Sequence, residues 1–512
     1  MTKGRQFSGC HLFKRVFLLT LAATLPLTRP LAAQVETIAI DAKAASRPFP
    51  HFWESIFGSG RAALSLRDSY RRDLDAMRAA TSIQFVRFHA ILHDEIGIYD
   101  EDAQGRPVYN FSYLDQIYDG LLERNIRPFV ELSFMPRKLA SSPTPHPFWY
   151  KPLVSPPNSY AHWDDLITQF TRHLVERYGE PEVDRWYFEV WNEPNLDFWA
   201  GQPKEATYYE LYDHTARAIK AVRPNLRVGG PATAQAAWVD RFIRHCVDSN
   251  SPVDFVSTHV YANDKSEDIF DTHESIPRDQ MVGRAVKKVY DQVHASPRPD
   301  LPIYWSEYNA SYMNEVAVTD SAFMGPWLAN NIRQCDGLTA AMSYWTFSDV
   351  FEEQGVVKKP FYGGYGLFAE DGIPKAAFNA FQLLHMLGSE RIPIASNNAL
   401  VTRDPDGTLA IAVWNYAAPE EAGTPRDVRL AVTGLNGLRH AQIRIVDSRH
   451  GSPLAAWEAL GRPAFPTRSQ VRQLRDAAML PDAVTQDLAP GNPTIVSLTL
   501  QPHGLALVRI VP

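Results

Sequence analysis

Cysteine is scarce, at three in 512 residues. Cys10 precedes an apolar run near the N-terminus, so it is not the cysteine of a lipid anchor, and only Cys246 and Cys335 lie beyond that run. Two cysteines build no disulfide framework, and these lack zinc-ligand spacing. They either pair with each other or stand as buried free thiols. Positive charge is also in short supply. Lys and Arg number 51 against 58 Asp and Glu, a formal net charge of −7. That balance disfavours nucleic acid and anionic membrane as partners. No segment beyond residue 33 reaches the ~18 consecutive apolar residues that a membrane span needs. Internal repeats and low-complexity tracts are absent too. The 38 prolines are scattered along the chain, which reads as a loop-rich fold.

What the sequence does contain begins with an export pattern. Lys3, Arg5, Lys14 and Arg15 precede a short apolar run over residues 16–27, and Leu31-Ala32-Ala33 suits cleavage. Residues 1–33 therefore read as a secretory signal, which places the mature chain in the periplasm or outside the cell. The segment carries five Lys/Arg and no Asp/Glu, so its loss takes the net charge from −7 to −12.

Near-continuous β-rich apolar runs then alternate with helical patterns. The runs cover 52–57, 84–88, 128–134, 185–191, 226–229, 255–260, 303–307 and 341–347. The helical patterns cover 70–80, 114–124, 163–178, 208–222, 238–248, 284–294, 323–335 and 376–387. Eight strands buried on both faces, each followed by a helix, predict an α/β fold: a parallel (β/α)₈ TIM barrel. After about residue 389 the pattern becomes alternating strands (409–414, 428–432, 442–446, 494–500, 505–511) with turns such as Asp406-Gly407. This predicts a C-terminal antiparallel β-sandwich. A further alternating strand at 36–42 is a candidate to join it from the N-terminal side. The expected division is a signal at 1–33, a joining strand at 34–46, the catalytic barrel at 47–390 and the β-sandwich at 391–512.

Polar residues gather at the ends of the strand runs: Arg87 and His89, Glu131, Asn192-Glu193, His259 and Tyr261, Glu307, Trp345. In a TIM barrel those ends form the active-site face. Glu193 ends run four and Glu307 ends run seven, so the two face each other across the mouth. Two carboxylates about 5–5.5 Å apart suit double-displacement glycoside hydrolysis, with one as nucleophile and the other as acid then base. A carboxyl beside Trp191 and another acid has the raised pKa that a general acid needs. Glu189, an even offset before Glu193, faces the same side but deeper, as a buried carboxylate paired with arginine; Glu131 reads similarly. The six prolines between 139 and 157 mark a long loop, a candidate pocket rim or oligomer contact. Phe134, Trp149, Tyr308 and Phe361 are candidate pocket walls. A metal site at His89 and His259 lacks a third ligand at suitable spacing, so no metal or other cofactor is expected.

Seven stretches carry a wider resemblance. They are Phe85-Val86-Arg87-Phe88-His89, residues 129–136, Trp186 to Asn195 with its Asn192-Glu193-Pro194 core, and Ser257-Thr258-His259-Val260-Tyr261. Residues 303–309, residues 343–349 with Phe351-Glu352-Glu353, and residues 361–367 complete the set. Together they resemble glycoside hydrolase family 39 among the (β/α)₈ retaining glycosidases. The resemblance implies Glu193 as acid/base, Glu307 as nucleophile and Asn192 as the residue that bonds the sugar 2-OH. It implies that Arg87 and Tyr261 orient the nucleophile and that His89 and His259 bind sugar hydroxyls. Trp345 would be the platform under the sugar, with a non-proline cis bond to Thr346, and Glu352 or Glu353 would bind hydroxyls. The implied activity is that of a retaining exo-glycosidase acting on an oligosaccharide or glycoside, foremost a β-xylosidase. Alternatives are an α-L-iduronidase-like or arabinosidase-like enzyme of the same family, or a non-catalytic carbohydrate-binding relative.

Overall fold

Runs that are apolar at nearly every position cannot leave one face in water, so they form strands covered on both sides. In the computed structural model, which describes residues 35–435 and 440–511, eight such runs close into one parallel barrel. Its strands are β1 (Ile56–Ser59), β2 (Phe85–Phe88), β3 (Arg127–Leu132), β4 (Tyr187–Val190), β5 (Arg227–Thr233), β6 (Phe255–Tyr261), β7 (Ile303–Asn309) and β8 (Ala341–Tyr344). Sequential strands are neighbours, and β8 pairs back onto β1 to seal the ring. β1 starts later than its apolar run, because Phe52 and Trp53 form a buried bend ahead of the strand. The expected signal at 1–33 lies outside the described residues. No helix among those described is long and apolar enough to cross a membrane.

The connecting helices follow from one-sided burial. In Val239–Asp248 the buried residues are Val239, Phe242, Ile243 and Cys246, the i, i+3, i+4, i+7 stripe of a helix lying on a sheet. Tyr160–Tyr178 starts where the Ser159 side chain accepts from the His162 N–H, and it stops at Gly179, whose φ of 82° a side chain would resist. Cys246 and Cys335 are both buried free thiols, and burial pushes both up from the ordinary cysteine range.

The C-terminal region is a sandwich of a seven-stranded and a three-stranded sheet. Strand Glu36–Asp41 does join it, but in parallel with Arg426–Thr433, so the sandwich is not purely antiparallel. Arg403 reinforces this tie by donating to the Ala42 carbonyl (2.8 Å) and the Ser46 hydroxyl (2.9 Å). The large sheet is covered on both faces. Leu400, Ala412, Trp414 and Leu505 share the barrel's hydrophobic core, while Val401, Ile411, Val413 and Val508 pack with Ile38, Ile40 and Leu430 of the small sheet. Leu409–Trp414 is accordingly buried at every residue. Leu505 approaches the barrel so closely that a Cβ on Gly325 would stand 3.2 Å from its own. Two helices, Leu454–Ala459 and Arg468–Ala478, interrupt the expected all-β pattern. They place Trp457 and Leu474 against Phe361 and Ile373 of the barrel.

Because the two units share one core, removal of residues 395–512 exposes apolar barrel surface and should leave insoluble protein. Trp414→Ala should cost about 3–5 kcal/mol, read from denaturant unfolding. A soluble, active truncation would show that the barrel stands alone.

Candidate active site

Alternation along β2 sends Arg87 into the barrel, where its side chain has no contact with solvent. Strand register brings Glu131 of β3 beside Glu189 of β4, and His259 of β6 beside Glu307 of β7. Arg87 meets all three of the carboxyls. Its Nε donates to Glu189 Oε2 (2.5 Å), its Nη1 to Glu307 Oε1 (2.7 Å) and its Nη2 to Asn192 Oδ1 (3.0 Å), with Glu131 Oε2 2.8 Å from Nη2. Burial opposes the Arg87 charge, but Glu189, Glu131 and Glu307 outweigh it and raise its pKa further. Burial also works to raise the Glu131 carboxyl. His89, whose Nδ1 is 2.6 Å from Oε2, and Arg87 overcome it and hold that group below its ordinary range. Glu189 is raised, by burial first, against the pull of Arg87.

Above this layer lie the two carboxyls singled out by their strand-end positions. Both Glu307 oxygens are claimed: Oε1 by Arg87, and Oε2 by the Tyr261 hydroxyl, which donates at 2.7 Å. Trp191 and Glu193 take left-handed backbone angles, φ 70° and 42°, and the Glu193 N–H donates to the Ala232 carbonyl of β5 (2.8 Å). This turn brings a Glu193 oxygen within 4.8 Å of one of Glu307. Burial, then the neighbouring Glu307 and Asp264, hold the Glu193 carboxyl well above its ordinary range. His259 sits behind the pair, fully buried. Its Nδ1 is 3.0 Å from Glu193 Oε1 and its Nε2 is 3.1 Å from Ser306 Oγ. Burial and then Arg87 push its pKa well below the usual histidine value, so the ring is neutral.

The carboxyls open into a cavity of about 430 Å³. Asn192, Glu193, Glu307, His89, Tyr261, Trp345 and Glu353 all line it; Arg87, His259 and Glu352 do not. The expectation of His259 as a direct sugar ligand is corrected by its place behind the carboxyls. Glu352 is corrected as well: Arg61 Nη1 (2.9 Å) and Arg67 Nη1 (2.7 Å) bind it away from the cavity. Its neighbour Glu353 points the other way, and burial followed by Glu307 pushes it well above the carboxylate range. Trp345 has the expected cis bond to Thr346, and a second non-proline cis bond joins Ser133 and Phe134. The Trp345 indole lies over Gly58 of β1, where an added Cβ would stand 2.4 Å from Cε3.

The walls differ from the expected aromatics. Phe134 packs edge-on against Trp191, Tyr308 stacks on Trp327, and Phe361 packs on Trp457. Trp149 lies outside the lining, with 53% of its surface exposed. The cavity is walled instead by Phe148, Phe198, Tyr312 and Tyr365, with Asp264 and Gln354 beside them. Phe148 comes from the Pro-rich loop, which does form part of the rim. Asp264 had no strand-end signal. It accepts from the Tyr261 N–H (2.7 Å), and burial pushes it up to about 7. The loops above β8 hang on a buried cation. Lys375 Nζ lies 2.7 Å from Asp320 and 2.6 Å from Asp349, and donates to the Gly364 carbonyl (2.9 Å). Among the described residues, two trios hold ligand atoms within 4.8 Å of one another: Glu193, His259 and Glu307, and His51, Glu54 and His385. In the first, both His259 nitrogens already face Glu193 and Ser306.

The profile of glycosyl hydrolases family 39 matches residues 36–487. The chain is 37% identical to a beta-xylosidase of Geobacillus stearothermophilus, over 90% of this chain and 93% of the relative. The GH39 enzyme from Xanthomonas axonopodis pv. citri superposes with a TM-score of 0.86 at 33% identity, covering 95% of this chain and 99% of the other. A monomeric beta-xylosidase from Caulobacter crescentus CB15 gives a TM-score of 0.85 at 35% identity, covering 93% of this chain and 100% of the other. With its paired carboxyls at the ends of β4 and β7 of a (β/α)₈ barrel, the chain belongs to glycosyl hydrolases family 39.

Proposed function

We propose that the protein is a retaining exo-β-xylosidase that releases xylose from the non-reducing ends of xylo-oligosaccharides. The observation that carries this reading is that a carboxyl oxygen of Glu193 lies within 4.8 Å of a carboxyl oxygen of Glu307. Inverting enzymes keep their carboxyls about 6.5–9.5 Å apart to admit a water between them, whereas a nucleophile and an acid/base stand about 5–5.5 Å apart. Glu307 attacks the anomeric carbon while Glu193 protonates the departing oxygen. Glu193 then takes a proton from the water that displaces Glu307. Arg87 and Tyr261, one on each Glu307 oxygen, set the direction of attack.

The remaining roles follow from donors and acceptors. Arg87 occupies Asn192 Oδ1, so the amide N–H₂ is the group left to bond the sugar 2-OH. Glu353 Oε1 has no hydrogen-bond partner among the described residues, and together with His89 it suits sugar hydroxyls. Trp345 offers the flat face. Glu193, Asp264, Glu307 and Glu353 line the cavity, and no Lys or Arg is among its described lining. That lining favours a neutral pentose over a uronate, whose carboxylate would find no cationic side chain there to pair with. The beta-xylosidase relatives support the same choice.

Glu307→Ala should abolish most turnover, with partial rescue by azide as an external nucleophile. Glu193→Ala should lose about 10²–10⁴-fold on poor leaving groups and far less on a dinitrophenyl glycoside. Equal losses on both substrates would remove Glu193 as the acid.

A carboxyl raised in the folded enzyme keeps its proton above the ordinary carboxylate range, so kcat/KM should fall only as pH rises through the shifted Glu193 value. Asp264→Asn takes away a negative neighbour and should move this alkaline limb to lower pH in a pH–rate profile.

Aryl β-xyloside should be the best substrate in a panel of aryl glycosides. Release from an α-L-iduronide or an arabinoside, with none from the xyloside, would overturn the choice of sugar.

A further inference from the structure

Three side chains that the hydrolytic chemistry does not use meet at the other end of the barrel. His51 and Glu54 lie in the bend that leads into β1, and His385 is the last residue of helix Ala376–His385. The sugar cavity is built on the C-terminal strand ends. A residue just ahead of a strand, and the C-terminus of a helix running back from β8, both lie at the N-terminal face. The Glu54 carboxylate is wholly buried. Its Oε1 is 2.7 Å from His51 Nδ1, and both its oxygens are 3.0 Å from His385 Nδ1.

We propose that His51, Glu54 and His385 form a binding site for one divalent transition-metal ion of the zinc class. Two imidazole nitrogens and one carboxylate oxygen are the donor set that such ions favour. The three ligand atoms already lie within 4.8 Å of one another. The imidazole rings stand nearly perpendicular, at 82° with centroids 6.2 Å apart, so they approach a common point from different directions. Stacking on Trp53 at 4.5 Å fixes the His51 plane. The side chains of His51 and His385 are 21% and 39% exposed, which leaves an open side for a water as fourth ligand.

Charge points the same way. The Glu54 side chain is wholly buried, and His51 and His385 both hydrogen-bond to it. Those two histidines are its only ion-pair partners among the described residues. No permanent cation neutralises this buried anion, and a bound dication supplies one. The ion would link the segment entering β1 to the helix leaving β8, the first and last elements of the ring. The spacing of the ligands hides the site from sequence, since His385 lies 331 residues from Glu54.

The test is calorimetric titration of the purified, chelator-stripped protein with Zn²⁺ alone, paired with thermal unfolding. One ion per chain should bind. At about 100 times Kd the ion should multiply the folding equilibrium constant about 100-fold, seen as a rise in Tm. Both effects should vanish in His51→Ala and in His385→Asn, the second chosen because it retains a donor toward Glu54 and so separates metal loss from misfolding. Wild-type protein that binds no ion below millimolar Zn²⁺, or variants that bind like wild type, would overturn the site. Variants that bind the ion like wild type would place it elsewhere, on Glu193, His259 and Glu307. The hydrolytic reading stands apart from all of these outcomes, because none of the three residues lines the sugar cavity.

Discussion

Arg87 carries five N–H donors and has no route to water, and it meets three carboxylates and an amide oxygen. Each partner comes from a different part of the ring: Glu131 from β3, Glu189 from β4, Asn192 from the turn after β4 and Glu307 from β7. One planar group thus fixes the spacing of four strands at the level where the barrel turns from core to active site. Without it, three carboxyls would sit in low dielectric with no permanent cation, the arrangement that buried ion pairs tolerate least. The same contacts set the chemistry. One edge of the guanidinium fixes Glu307, and another dictates which way the Asn192 amide points.

Lys375 repeats the arrangement on a smaller scale under the loops after β8. It gathers Asp320, Asp349 and the Gly364 carbonyl, while Gly363 N–H donates to Asp320 and Gly366 N–H to Asp349. These bonds account for the Ser348-Asp349 and 361–367 stretches, which carry no group into the cavity except Tyr365. The polar scaffold therefore has two cations: one beneath the carboxyl pair, and one beneath the loops that wall it.

The barrel was legible because strands buried on both faces leave an uninterrupted apolar signature, and because helices with one buried stripe separate them. Glu193 and Glu307 were legible because a carboxylate ending an apolar run has few places to be except a strand end. Asp264 and the walls Phe198 and Tyr312 were not, since they come from loops whose path depends on tertiary contacts. Glu352 and Glu353 show the limit at its finest. Adjacent residues of one type point to opposite sides, and only the positions of Arg61 and Arg67 decide which of them is neutralised. His259 was placed at the right height on β6, but its neutral ring backs the carboxyls instead of facing sugar. The parallel pairing of Glu36–Asp41 and the helices at 454–459 and 468–478 escaped for the same reason: alternation identifies a strand but not its partner.

The floor of the cavity rests on an absence. Gly58 offers only a hydrogen beneath Trp345, and a methyl there would collide with the indole. The position of the Trp345 indole in the cavity is therefore set by the first strand of the barrel, far in sequence from either carboxyl. Every replacement at position 58 would set a Cβ 2.4 Å from Cε3 of the indole, so the ring could not keep its place.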